Sequence, residues 1–450
     1  MTTWRELRES RVVRAGRASG TVVRCGLTDT MLADVAVSLV LFYEHALDVS
    51  RLADGLATAL DRVPVFGGRL RTGADRRLEI VCTDDGVPLS TYDVDESLPD
   101  AISRVALAGA GLVDHVDAPK ARVGGLPLLT IRVNRLAGGA TALGISWHHA
   151  VADMQGFIVL LRAWSAAIEG SPPTDVDLAE DRDAYLDDVL PAQDSGRPGF
   201  RLPDADEAAA IQREFATALG ANRTVQIYFS AVEVNRMRQK FGAEAGVRLS
   251  ANDVLCAHVA STIRVLDNET EDRVLVLPVN IRKLLNLPSG VVGNLFGEIC
   301  LTCPAGGRPE TLAGEIRTAV GDFVGSHLNI RTNREFLAAI GPSRLPDCVP
   351  VGFDPARRTL SISNWSHFGG YDIPLAGQRP VLISPAANPP LPWTSWLVEG
   401  LDGVDYVSTV VLPARLAARL RGATGRDALH SYREPGDILP ALATAVRKLV

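Results

Sequence analysis

Residues 171–206 carry Pro172, Pro173, Pro191, Pro198 and Pro203 among many aspartates. Proline fixes φ and removes a backbone donor, so this stretch can neither continue a helix nor run through the middle of a sheet. Periodic apolar patterns resume on both sides, which makes it a crossover between two units of similar size. The expected division is therefore 1–170, a crossover at 171–206, and 207–450. With 450 residues in all, each unit falls within the ~50–250 residues usual for a domain.

Strand and helix patterns alternate in both units. Residues 35–43, VAVSLVLFY, form a continuous apolar, β-branched run expected of a buried strand. Ser50 is placed to cap a helix whose Leu52, Leu56, Leu60 and Val63 share one face, with Pro64 as its stop. Further strands are expected at 78–82, 126–133 and 142–147. Phe157, Leu160, Leu161, Trp164 and Ile168 recur at helical spacing. In the second unit Ser250 and Asp253 match a capping box, opening a helix with Val254, Leu255, Val259, Ile263 and Leu266 on its apolar face. Strands are expected at 273–279, 295–303, 359–364, 380–384 and 404–412. The class is mixed α/β.

The charge balance, 46 Lys and Arg against 53 Asp and Glu, leaves −7. That excess gives no electrostatic reason to expect a nucleic acid or an anionic membrane as partner. No stretch approaches the ~18 uncharged apolar residues of a transmembrane helix. The opening MTTWRELRES is charged where a signal peptide would be apolar, so a cytoplasmic protein is expected. Six cysteines spread over this length are not a disulfide scaffold.

The sharpest local feature is Ile145-Ser-Trp147-His148-His149-Ala-Val-Ala-Asp153-Met154-Gln-Gly. An apolar strand runs into two histidines, and a carboxylate follows the second by four positions. An imidazole at a strand end is rigidly held and titrates near neutrality, which suits proton transfer. In a chain with eight histidines, one His-x-x-x-Asp by itself is close to chance. A metal site is not expected, because adjacent His148 and His149 point apart and no third ligand stands nearby. Cys300 and Cys303 form C-x-x-C inside a strand pattern without a second pair, and read as buried structural cysteines. No Gly-x-Ser-x-Gly elbow, P-loop or Gly-x-Gly-x-x-Gly is present.

The segment from Pro127 to Asp153 nevertheless resembles the BAHD acyltransferases almost throughout. These CoA-dependent enzymes share a fold with chloramphenicol acetyltransferase and with condensation domains. Val63-Pro-Val-Phe-Gly-Gly-Arg-Leu70, Asp85-Gly-Val-Pro-Leu89, Ala251-Asn-Asp-Val-Leu-Cys-Ala-His-Val259, Pro278-Val-Asn-Ile-Arg282 with Gly293-Asn294, and Ser363-Asn-Trp365 before Tyr371-Asp-Ile373 are similar to the same family. They occur in the family's order along nearly the whole chain.

The resemblance implies two chloramphenicol-acetyltransferase-like domains of similar size, each a mixed sheet flanked by helices, with a channel at their interface. It implies acyl transfer from acyl-CoA to a hydroxyl or amine of a small specialised metabolite, by a monomer with no permanently bound cofactor, no metal and no covalent acyl-enzyme. His149 would be the general base, with Ser363 and Trp365 near the tetrahedral intermediate. Asp153 would turn away from the channel and pair with Arg282. Trp147, His148 and Met154 would border the channel, His148 in a structural role; His367 reads as a loop residue. Two positions depart from the family pattern. Met154 replaces the glycine that usually follows the aspartate, and Pro374-Leu-Ala-Gly-Gln378 stands where Asp-Phe-Gly-Trp-Gly is usual. Two other readings keep the fold: transfer or condensation from an acyl carrier protein, and a repurposed non-transferase such as a cyclase or a binding protein.

Overall fold

The computed structural model describes residues 5–437, apart from 18, 75, 108–110, 173, 269, 342–343, 355–357 and 387–392. The outer ends of the expected domains, 1–4 and 438–450, lie outside the described residues.

Two six-stranded sheets organise the chain. The first half contributes Arg5–Val13 (β1), Ala36–Tyr43 (β2), Val87–Ser97 (β3), Leu129–Ala137 (β4) and Thr141–His148 (β5). The second contributes Asn222–Phe229 (β6), Arg273–Asn280 (β7), Phe296–Cys303 (β8), Leu360–Asn364 (β9), Leu382–Pro385 (β10), Thr394–Glu399 (β11) and Tyr406–Pro413 (β12). The first sheet runs β1-β3-β4-β5-β2-β10 and the second β6-β12-β11-β9-β7-β8. Both are mixed: β3 and β4 are parallel, as are β7 with β9 and β9 with β11, and the other pairs are antiparallel. Every residue of β5 is buried, so both faces of that strand are covered. Each sheet anchors its own apolar core.

Five helices matter for the site: Leu27–Met31 (α1), Val49–Arg62 (α2), Met154–Glu169 (α3), Ala205–Ala221 (α4) and Ala251–Leu266 (α5). α2 is capped by Asp48, not by the expected Ser50; the Asp48 carboxylate accepts from the amides of Ser50 and Arg51. Both residues are good caps, and the carboxylate two positions earlier takes the orphan donors first. The box at Ser250 and Asp253 opens α5 as expected.

The expected division needs two corrections. α4 runs straight across the 206/207 boundary. The second is larger: β10, from the C-terminal half, adds to the free edge of β2 in the first sheet, pairing Leu382 with Phe42 and Pro385 with Leu39. Ile373, Leu375, Leu382 and Ile383 accordingly belong to the first core. The crossover is also not featureless. It holds the helix Arg182–Val189 and the short strand Phe200–Arg201.

Candidate active site

β5 delivers the two histidines to the junction between the sheets. His148 closes the strand and is fully buried. Its Nδ1 accepts from the Ala150 amide at 3.2 Å, and burial pushes the imidazole down to about 4. A neutral, enclosed ring of this kind fixes the turn. His149 follows, half-buried, with its amide donating to the Val35 carbonyl at 2.9 Å.

The His149 ring is oriented by Asn294, which lies 145 positions away. Its Nδ1 stands 3.2 Å from Asn294 Oδ1. The two donors of the Asn294 amide are directed at acceptors: Nδ2 donates to Asp29 Oδ1 at 2.7 Å and to the His149 carbonyl at 2.9 Å. That fixes the amide, so its oxygen faces the ring and can only accept. Nδ1 therefore carries the proton and Nε2 keeps its lone pair, which is the tautomer a general base needs. Burial lowers the imidazole below its ordinary value, opposed by the charges of Asp153 and Asp29 and by the Asn294 bond.

Asp153 does not serve that ring. It caps α3, accepting from the Gly156 amide at 2.9 Å. Arg282 meets it with a two-pronged ion pair, Nη1 to Oδ2 at 2.7 Å and Nη2 to Oδ1 at 3.1 Å, and the Leu295 amide adds a third donor at 3.0 Å. Arg282 also donates to the carbonyls of Val291 and Gly293. The expected Asp153–Arg282 pair is thus present, and it ties the first residue before α3 to the 280–295 segment of the second domain. The backbones approach closely there, the Asp153 amide donating to the Gly293 carbonyl at 3.2 Å. Gly293 sits at φ +156°, and a Cβ on it would come within 3.2 Å of Arg182 Nε.

Between His149 and Asp153 the turn is held by Arg182, from the crossover. It donates to the Ala150 and Val151 carbonyls, both at 2.6 Å, and pairs with Asp29 at 3.1 Å. Asp29, Arg182 and Asn294 form one buried chain from α1 to the imidazole, and none of the three is picked out by the His-x-x-x-Asp spacing. The only signal in the sequence was the Gly293-Asn294 match, which carried no role.

Two channel assignments need correcting. Trp147 is wholly buried, stacked on Phe157 with ring centres 4.3 Å apart, its indole N–H donating to the Ala152 carbonyl at 2.9 Å. It is a core residue, and His148 is equally enclosed, so neither offers surface to a channel. Met154 is half-buried and lines a small pocket with Trp365, Tyr371 and Glu399. Ser363 and Trp365 lie at the end of β9 and just beyond it. The Trp365 indole N–H donates to Ser363 Oγ at 3.1 Å, while its ring packs against Trp396. The indole donor is therefore already used, and the serine hydroxyl is left as the donor of the pair. His367, in a turn at φ +64°, faces Glu399 at 3.3 Å. Cys300 and Cys303, three apart on β8, fall on opposite faces, Cys303 buried and Cys300 exposed. Among the described residues no group of three His, Cys, Asp or Glu is placed to hold a metal ion, and no helix is long and apolar enough to cross a membrane.

The chain is similar to known proteins over most of its length. The profile of the family described as the Transferase family matches residues 12–412. A pelargonidin glucoside malonyltransferase of Salvia splendens is 25% identical over 374 residues, covering 77% of this chain and 79% of that protein. The crystal structure of vinorine synthase superposes with a TM-score of 0.66 at 18% identity, over 92% of this chain and 96% of that one. The F. graminearum TRI101 structure, complexed with coenzyme A and T-2 mycotoxin, gives 0.71 at 14% identity, over 90% and 98%.

Proposed function

The chain belongs to the Transferase family of BAHD acyltransferases, and on that footing we propose that it moves an acyl group from an acyl-CoA to a hydroxyl or amine of a small specialised metabolite, with His149 as general base. The observation that carries this reading is the Asn294 contact, which leaves Nε2 of His149 unprotonated. A thioester is already activated, so the protein must supply a deprotonated acceptor, proximity and a place for the oxyanion. His149 Nε2 takes the acceptor proton as the acceptor atom bonds to the thioester carbonyl carbon. The tetrahedral intermediate collapses, the C–S bond breaks, and the imidazolium returns the proton to the departing thiolate. General base catalysis contributes ~10²–10⁴-fold, and holding both substrates in register supplies more. No acyl-enzyme forms.

Ser363 is the residue assigned to the oxyanion. Its oxygen already accepts from Trp365, which polarises the hydroxyl and makes its own O–H a better donor. Ser363→Ala is expected to lower kcat more than it raises KM, because the bond forms only once charge has developed. Equal loss of binding at constant kcat, measured by steady-state kinetics, would make Ser363 a substrate-positioning group instead. EDTA is expected to leave the rate unchanged, since no step calls on a Lewis acid; loss of activity restored by added metal would contradict that.

The decisive test is a screen of acyl-CoAs against alcohols and amines, following protein-dependent release of CoA thiol. Release with no donor–acceptor pair would overturn the reading.

A further inference from the structure

A cavity of about 290 Å³ is walled in part by Val35 and Phe296, two neighbours of His149. Two of its walls touch the site directly. The Phe296 ring lies 6.3 Å from the His149 ring, centre to centre, and Val35 holds the His149 amide. The rest comes from three separate parts of the chain: Leu32 of the first domain, Phe200 and Ile211 of the crossover and α4, and Ile330 of the second domain. The lining is largely apolar, and it contains a carboxyl with no cationic partner that the catalytic scheme does not employ.

That carboxyl is Glu298. Phe296 and Glu298 are two apart on β8, so both project from one face with Glu298 about 7 Å farther along the strand. Room for the group is left by glycine on two sides: a Cβ on Gly199 would stand 3.3 Å from one carboxyl oxygen, and a Cβ on Gly352 3.5 Å from the other. Across the strand its neighbour is Pro278, which has no amide hydrogen to offer. Among the described residues no Arg, Lys or His is paired with Glu298, and burial alone pushes its carboxyl up to about 7. A second carboxylate, half-exposed Asp347, stands in the same lining and is paired with Arg344 at 3.8 Å.

An apolar chamber with a half-buried carboxyl in its wall that no cation pairs is complementary to a hydrophobic molecule carrying a cationic nitrogen. It is a poor host for the phosphates of CoA, because its lining, among the described residues, holds no Lys or Arg to meet them. We infer that this cavity is the acceptor subsite and that the acceptor is a lipophilic amino alcohol or diamine, whose protonated nitrogen pairs with Glu298 while its reacting hydroxyl or second amine reaches His149. The inference rests on the transferase reading for the role of His149, but not for binding.

The test is a binding measurement without acyl-CoA. Calorimetry would compare tropine and lupinine, two rigid amino alcohols of different bulk, with their carbocyclic analogues lacking the nitrogen. Wild-type protein should prefer the amino alcohols, and Glu298→Gln should reduce that preference at least ~10-fold through loss of one charge-assisted contact. Glu298→Leu should reverse it. Equal affinity of wild-type protein for the amines and the neutral analogues would overturn the proposal, as would an unchanged preference in folded Glu298→Gln. Acylation separates the two readings. Transfer to neutral alcohols with no amine preference removes only the subsite, whereas amine binding without thiol release under any acyl-CoA removes only the transferase.

Discussion

His149→Ala lowers acyl transfer by at least ~10²-fold, with CoA release at saturating substrates as the readout and little change in the unfolding midpoint. The asymmetry follows from the contacts. Among the described residues the ring makes one side-chain hydrogen bond, to Asn294, whose other two bonds to Asp29 and the His149 carbonyl survive the substitution. Loss of one neutral hydrogen bond costs about 1 kcal/mol. Turnover in this variant equal to wild type would remove His149 from catalysis. The pH profile carries the same assignment. Only the neutral ring is a base, and burial depresses its protonation. The acid limb of kcat/KM should therefore lie below the ~6.5 of a free imidazole, with activity rising as pH climbs through it. A limb displaced upward instead would show that the positive charge is being stabilised, which this environment does not do.

Asp153→Ala and Arg282→Ala each destabilise the protein by about 3–5 kcal/mol, because each leaves the other's charge buried without a counterpart. The two side chains are 11% and 3% exposed. Asp153→Ala also strips the Gly156 and Leu295 amides of their acceptor, and Arg282→Ala frees the Val291 and Gly293 carbonyls. The double variant should be far less unstable than the sum of the singles, since the penalty of the lone charge is then gone. Denaturant unfolding of the four proteins measures the coupling, and additive losses would contradict it. Activity should fall with stability in each single variant, as the α3 start and the 280–295 segment lose their register around His149. Activity loss at unchanged stability in His149→Ala, and loss of both in Asp153→Ala and Arg282→Ala, are thus separable outcomes.

Much of this was legible from local pattern. The β5 run, the His149 turn and the α5 box are encoded in contiguous residues, and the structure places them within a residue or two of expectation. The failures share one cause, which is that burial and partnership are decided elsewhere in the chain. Trp147 sits in a strand whose eight residues are all buried, so alternation could not separate a core face from a channel face. Asn294, Asp29 and Arg182 converge on the imidazole from 145, 120 and 33 positions away, and no window of sequence contains them together. Glu298 is a polar residue within the strand expected at 295–303, and nothing local marks it as part of a site. Only the apposition of the crossover makes it part of a cavity wall. Ser50 and Asp48 were both competent caps, and choosing between them needed the backbone geometry of the preceding turn.

The edge strand β10 has a consequence for synthesis. β2 is an apolar strand, fully buried from Ser38 to Tyr43, and one side of its hydrogen-bonding ladder is completed only by Leu382–Pro385. During translation more than three hundred residues must leave the ribosome between the two, at ~5–20 residues per second. For that interval the nascent first sheet presents an unpaired apolar edge, the kind of template on which chains stick to one another. A polypeptide truncated in the crossover never receives its last strand. It should aggregate in expression trials, whereas adding the 371–386 segment in trans should restore soluble material. The two halves are therefore partners in assembly before they are partners around a substrate.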